Sequence, residues 1–180
     1  MFMSDPERTP DVLRIARKLP LGATLIYRHF GAGDRVVIAG ELRQISFARN
    51  LQFLIGQDAG LAAKIGADGL HLPERELGQG VVLRARYPAW LLTGAAHSRG
   101  GVKRCAENGL DAAILSPVFT SASKSASQPI GTEMLADIAK AIKIPIIALG
   151  GISGATAPEL YTSGATGIAG VSMFVSAHDT

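Results

Sequence analysis

A single cysteine, Cys105, stands in 180 residues. That leaves no disulfide framework and no thiolate metal site within one chain. Cys105 lies in an apolar helical pattern, where a small core residue is expected. Charge is also scarce: 18 Lys and Arg against 15 Asp and Glu give a net charge of +3. No basic run is interleaved with aromatics, which argues against nucleic acid as a partner. A mild positive balance suits anionic substrates, although surface lysines alone give the same number. No apolar run reaches membrane-spanning length, so no membrane partner is expected. The start, Met1-Phe2-Met3-Ser4-Asp5, is too short and too polar for a signal peptide. A cytoplasmic location is the default expectation. What the chain has in quantity is apolar residues (47%) and glycine (21 residues), a composition common in α/β folds. The length suffices for one domain with a real core, and no interdomain linker is visible, so a single domain over residues 1–180 is expected.

Three segments share one grammar: Gly66-Ala67-Asp68-Gly69-Leu70, Gly109-Leu110-Asp111-Ala112-Ala113 and Gly164-Ala165-Thr166-Gly167-Ile168. In each, a glycine can take the left-handed position that ends a helix, and an apolar strand follows. Strands are expected at Phe2–Ser4, Thr24–Arg28, Leu51–Ile55, Gly69–Leu72, Trp90–Thr93, Ala112–Leu115, Pro145–Leu149 and Gly167–Ala169. Helices fill the gaps, with starts expected at Thr9-Pro10, Asp34, Asp58, Ser98, Thr132 and a Thr156/Glu159 capping box. Residues 73–88 look irregular. Eight strands alternating with helices predict an α/β protein, a (β/α)8 TIM barrel. The chain is short for that fold, which typically has about 250 residues, and the shortage falls at both ends. A seven-stranded or open barrel and a doubly wound sheet stay open.

In a parallel barrel the chemistry gathers after the strands' C-terminal ends. After the last two strands stand Gly150-Gly151 and Val171-Ser172. Glycines there let a phosphate approach backbone N–H groups, giving a phosphate cup; tight strand-to-helix turns are the plainer reading. After the sixth strand, Ser121, Ser123 and Lys124 lie in a small, polar segment. That segment could close over a phosphate or pyrophosphate, or be a surface loop. Arg28 ends an apolar strand and needs an anion, either a ligand or an internal carboxylate. His97 follows the fifth strand as a candidate proton carrier, against a capping or packing role. His71 sits inside a strand and reads as an interior residue. Glu74 and Glu76 follow strand four. Carboxylates there could hold Mg²⁺; a solvated helix start is the expectation for Glu74, and Glu76 stays open.

Together these residues bring a family into view. The chain resembles the thiamin-phosphate synthase/TenI family through Gly66–Leu72, Ala96-His97-Ser98, Ser116–Phe119 with Ser123-Lys124, Pro145–Ile152 and Gly164–Ser172. The resemblance implies a TIM barrel that handles a thiazole phosphate. In the synthases it also implies a pyrimidine pyrophosphate, Mg²⁺ and loss of pyrophosphate. Gly151 and Val171-Ser172 match the thiazole-phosphate cup. Ser121, Ser123 and Lys124 match a Thr-x-Thr-Lys loop. Arg28 matches the arginine of an Arg-x-Lys pair whose lysine is here Phe30. The family's Asn-Asp pair appears as Gly56-Gln57. Asp58, one step on, and Glu76 are the remaining candidate metal ligands, and Ala95 replaces a serine. Each lost charge-assisted contact to a buried anion costs roughly 1.5–3 kcal/mol.

TenI-type tautomerases use a histidine, matched by His97, as proton shuttle. They need neither cofactor nor second substrate. The resemblance therefore leads to a TenI-like enzyme binding a thiazole phosphate. The alternatives are a Mg²⁺-dependent thiamin-phosphate synthase and a non-catalytic phosphate-ligand-binding or regulatory protein. Phe2 and Phe174 are expected partly exposed, a surface that a homo-oligomer would bury.

Overall fold

Apolar runs bounded by glycine, proline or Asx residues become the strands. In the computed structural model, which describes residues 1–121 and 128–174, eight of them form. They are β1 (Phe2–Met3), β2 (Thr24–Tyr27), β3 (Gln52–Gly56), β4 (Gly69–Leu72), β5 (Leu91–Ala96), β6 (Ala112–Leu115), β7 (Ile146–Leu149) and β8 (Gly167–Ala169). The helices between them are α1 (Val12–Lys18), α2 (Arg35–Ala48), α3 (Ala59–Ile65), α4 (Gly80–Arg86), α5 (Arg99–Glu107) and α6 (Gly131–Ala141). Short 3₁₀ turns lie at Glu74–Gln79, Ala157–Leu160 and Ser172–Phe174. The strand order is β1 to β8 without crossing, the arrangement of the (β/α)8 class. Among the described residues no helix is long and apolar enough to cross a membrane.

Two compact units make up the chain: residues 1–71 with the segment from Gly170, and residues 72–169. In the first, β1 pairs with β2 (Phe2 opposite Leu25), β2 with β3 (Thr24 opposite Gln52) and β3 with β4 (Leu54 opposite Gly69), all parallel. Gly170 bridges back to Phe2. The Met3 N–H donates to its carbonyl at 2.9 Å, and its own N–H donates to Met1 O at 3.0 Å. In the second unit, β5 pairs with β6 (Thr93 opposite Ala112), β6 with β7 and β7 with β8. β5 runs three residues past its expected end at Thr93 because Gly94-Ala95-Ala96 keeps register with Ala113-Ile114-Leu115.

The core follows from strands buried on both faces. Leu25, Ile26, Phe53, Leu54, Leu70, Leu115 and Ala148 have no exposed surface. Phe2 is equally buried and meets the Phe174 ring edge-on at 5.5 Å. The expectation that Phe2 is exposed is therefore wrong, because β1 lies between β2 and the Gly170 segment.

The repeated grammar has a physical purpose. Asp68 opens β4: its N–H donates to Phe53 O at 2.8 Å, and its carboxylate takes the Phe53 N–H at 2.8 Å and Arg43 of α2 at 2.9 Å. Asp111 opens β6 in the same way, with Leu92 (O at 2.8 Å, N–H at 2.7 Å) and Arg84 of α4 at 2.6 Å. Thr166 opens β8 with its N–H and hydroxyl both on Ile146 O, at 2.8 and 3.1 Å.

Helix starts divide. Asp58 and Ser98 cap α3 and α5 as expected, accepting from Leu61 and Gly101 N–H at 2.8 and 3.1 Å. Asp34 sits at the start of α2 without a side-chain capping bond. Three other starts are corrected. Asp11, not Thr9, caps α1 through the Arg14 N–H; the Thr9 hydroxyl instead bonds Asp5 O and the Asp5 N–H, at 2.8 and 2.7 Å. Thr132 lies inside α6, whose start is set by Ile130 and Gly131 N–H donating to Pro117 and Val118 carbonyls. Thr156 makes no capping box; it takes the Ser153 N–H and donates to Gly151 O at 3.0 Å. The irregular stretch 73–88 resolves into the 3₁₀ turn and α4.

His71 is buried in β4, and burial, followed by the Arg28 charge, pushes its pKa down from 6.5 to about 3. The folded imidazole is therefore neutral where the unfolded one binds a proton. Its contribution to stability is whole above about pH 6.5 and is lost as pH falls toward 3. Between those limits one proton gives a slope of up to about 1.4 kcal/mol per pH unit. Urea unfolding at pH 7, 6 and 5 should show this slope reduced in His71→Gln. An unchanged slope would show that His71 does not titrate between the two states.

Candidate active site

The 3₁₀ turn after β4 and the loop after β5 meet in the second unit. Glu74 Oε2 accepts both from the His97 backbone N–H at 2.9 Å and from His97 Nδ1 at 2.7 Å. Glu74 Oε1 pairs with the Arg104 guanidinium of α5. A carboxylate in an ion pair can only accept, so Nδ1 carries the proton. That leaves Nε2 as the ring nitrogen that takes or gives one. The Glu74 carboxylate reaches this place because α5 begins Arg99-Gly100-Gly101. A Cβ on Gly101 would meet Glu74 Oε1 at 2.8 Å and Ala96 Cβ at 3.1 Å. The start of α5 also favours a negative charge beside it. Glu74 is only 22% exposed, whereas His97 is half exposed. The solvated role expected for Glu74 is thus corrected. The sequence signal passed over was the glycine pair after His97-Ser98, a sign of close approach.

Cys105 is buried, and burial, followed by the Glu74 charge, pushes its thiol up to about 12. It therefore behaves as a core residue rather than a nucleophile.

Gly150 and Gly151 follow β7 with φ of 98° and 66°, a region that side chains rarely adopt. A Cβ on Gly150 would stand 2.8 Å from Pro117, and one on Gly151 would strike the Thr120 carbonyl and Phe119. The β7 end is tied to the loop after β6 by Val118 N–H on Leu149 O and Phe119 N–H on Gly150 O, at 2.9 and 3.0 Å. These glycines have a packing reason whatever else they do. In the first unit, Val171 is buried and Ser172 opens the last 3₁₀ turn. Ser121 is half-buried. Ser123 and Lys124 of the expected phosphate loop lie outside the described residues.

The strand ends of the first unit hold the other candidates. Arg28 is largely buried. Its Nε donates to Ser4 O at 2.9 Å, its backbone N–H to Ser4 Oγ at 2.8 Å, and one guanidinium nitrogen lies 4.0 Å from Asp5 Oδ2. Asp58 is engaged on both oxygens: Oδ1 caps α3, and Oδ2 accepts from Arg35 at 3.0 Å. Arg35 also donates to Gly56 O and stacks over the Phe30 ring. Phe30 in turn lies against Gly56, where a Cβ would come within 3.0 Å of it. Gln57 holds a left-handed φ of 65° and donates its N–H to His71 O. In the second unit, Glu76 pairs with its neighbour Arg75 at 3.0 Å. Among the described residues no group of three or more His, Cys, Asp and Glu is arranged to hold a metal. Asp58 has one partner on each oxygen, the Leu61 N–H of the helix cap and Arg35, and among the described residues no second carboxylate or histidine completes a metal-holding group with it.

The eight-stranded parallel arrangement, with polar groups after the strand ends, defines an α/β chain of the (β/α)8 class. A family model described as thiamine monophosphate synthase matches residues 4–174. A relative in Aquifex aeolicus is 36% identical over 138 residues, 77% of this chain and 74% of that protein. A relative in Listeria innocua, named thiamine-phosphate synthase, is 31% identical over 94% of this chain and 83% of its own length. The solved structure of thiamine phosphate pyrophosphorylase from Pyrococcus furiosus superposes with a TM-score of 0.80 at 25% identity, covering 95% of this chain and 84% of that one. The chain belongs to the thiamine monophosphate synthase family. The relatives' names favour the synthase alternative over the tautomerase reading expected from the sequence.

The glycines give a direct check. Gly151→Ala should lower stability by about 1–3 kcal/mol, since a side chain there combines positive φ with a backbone collision. That corresponds to about 2–4 °C in Tm for each kcal/mol in a chain of this size. Gly154→Ala, with nothing within 4 Å of the added carbon, should leave the thermal melt within about 0.5 kcal/mol of the parent. Equal melts for the two variants would contradict the packing described.

Proposed function

We propose that the chain is an enzyme of thiamin biosynthesis that binds a thiazole phosphate and moves a proton on it through His97. What carries this reading is the aligned pair: Glu74 holds the His97 ring by Nδ1 at 2.7 Å and leaves Nε2 for the substrate. Proton transfer within one bound ring needs a single group that both gives and takes a proton near neutrality. Gly150, Gly151 and Ser121 of the second unit, and Val171 and Ser172 of the first, are each proposed as phosphate contacts; the same role is proposed for Ser123 and Lys124, which lie outside the described residues.

The second reading is the synthase reaction, joining a pyrimidine pyrophosphate to the thiazole phosphate with release of pyrophosphate. The names of the relatives support it, and on the comparisons alone it leads. Arg28 is the residue retained for it. Against it stand the residues of the first unit, where an aromatic ring occupies the cation position and Asp58 is bound to its own helix and Arg35. Bound Mg²⁺ would neutralise the pyrophosphate and assist its departure. Glu76 is the carboxylate left to hold it.

One pair of assays orders the two. With thiazole phosphate, pyrimidine pyrophosphate and Mg²⁺, thiamin phosphate formation should be weak and unchanged in Phe30→Ala. With the carboxylated thiazole phosphate alone, isomerisation should proceed without metal and fall on the order of 10²-fold or more in His97→Ala. Ready thiamin phosphate formation, with isomerisation absent, would make the synthase reading the right one.

A further inference from the structure

Glu74 belongs to the working apparatus although it precedes His97 by more than twenty positions. It binds His97 twice through one oxygen, at the backbone N–H (2.9 Å) and at Nδ1 (2.7 Å). That arrangement fixes the direction of the Cα–Cβ bond and the rotation of the ring together. The second oxygen is held by Arg104, about one and a half turns into α5. Gly101 supplies the space, since any side chain there would displace the carboxylate. A histidine needing only a capping or packing role has no use for a partly buried carboxylate clamped at both oxygens.

We propose that Glu74 is a positioning residue for His97, setting its Nδ1–H tautomer and ring direction, with Arg104 holding the carboxylate in place. The inference rests on the proposed role of His97 but is read without substrate. In a neutral imidazole exchanging freely with water, the Nε2–H form is the more populated one. The Glu74 contact reverses that choice, so that Nε2 keeps its lone pair for a proton on the ligand. Arg104 acts only through Glu74, and Ser98, which caps α5 through the Gly101 N–H at 3.1 Å, holds the helix start steady beneath both.

The test is ¹⁵N NMR of the histidine rings in the full chain, with the His97 resonance assigned by its loss in His97→Ala. In the parent, neutral His97 should show a protonated Nδ1 and a bare Nε2. Glu74→Gln keeps an accepting oxygen and should retain that pattern. Glu74→Ala should move the ring to the Nε2–H form, and should reduce kcat for isomerisation about tenfold while leaving KM near the parent value. Rescue by glutamine is the outcome that a merely structural role would not produce. A parent ring already in the Nε2–H form, or an unchanged tautomer in Glu74→Ala, overturns the inference. If the tautomer moves but neither His97→Ala nor Glu74→Ala alters isomerisation, the positioning stands and the proposed reaction falls. If His97→Ala alone abolishes isomerisation, the reaction stands and the positioning role falls.

Discussion

A parallel strand buried on both faces has no water at its first residue, so the polar groups there must find partners inside the protein. That constraint shapes this chain more than any other. Asp68, Asp111 and Thr166 answer it in the same place, each bonding the preceding or neighbouring strand as it opens the next one. Asp68 and Asp111 go further, joining an arginine from the helix on the outside, Arg43 or Arg84. One carboxylate thus ties two strands and a helix, which makes a four-residue strand sufficient. The glycine just before each has a related purpose, turning the chain sharply enough for the aspartate or threonine to reach its partner.

The same accounting governs the opposite strand ends, where chemistry is placed. After β4 and β5 it yields the Glu74–His97–Arg104 cluster, a charge held partly out of water and satisfied on both oxygens. After β2 and β3 it yields a different outcome. Phe30 and Gly56 belong together: the ring lies where a Cβ on position 56 would come within 3.0 Å of it. Arg35 then covers the ring, and its guanidinium takes up Asp58 and the Gly56 carbonyl. A side chain at 56 would crowd the Phe30 ring at 3.0 Å and the Tyr27 carbonyl at 3.2 Å.

Strand placement was legible because burial on both faces leaves a plain mark, an apolar run with glycine or an Asx residue ahead of it. Gly69–Leu72, Ala112–Leu115 and Gly167–Ala169 appear in the structure as expected. Helix starts were less legible. Asp58 and Ser98 cap through their own side chains, which the sequence shows. At α6 the start is fixed by backbone bonds from Ile130 and Gly131 to the loop after β6, contacts that no local pattern records, and Thr132 was the wrong candidate for that reason. In the site, His97 stood out by residue type and position, but Glu74 did not. An acid at a helix start is usually solvated, and its partners lie 23 and 30 residues away along the chain. Phe2 was misread in the same manner, because the Gly170 segment that covers it is remote in sequence.

The two readings of function differ in what they demand of Asp58. As a helix cap it contributes about 1 kcal/mol, and through Arg35 it offsets the burial of a guanidinium only 16% exposed. A metal there would share the carboxylate with these two partners. The Asp58 carboxylate in the pair with Arg35 is 42% exposed, so loosening it costs about 1 kcal/mol or less, and Arg35 keeps its bond to the Gly56 carbonyl. His97 asks nothing comparable. Its ring is already aligned, its partner is already clamped, and Nε2 is the nitrogen left to act. Within the second unit, the groups already aligned are those of the proposed proton transfer, His97 with Glu74 and Arg104. The ancestry visible in the relatives' names explains the scaffold on which that transfer is proposed to occur.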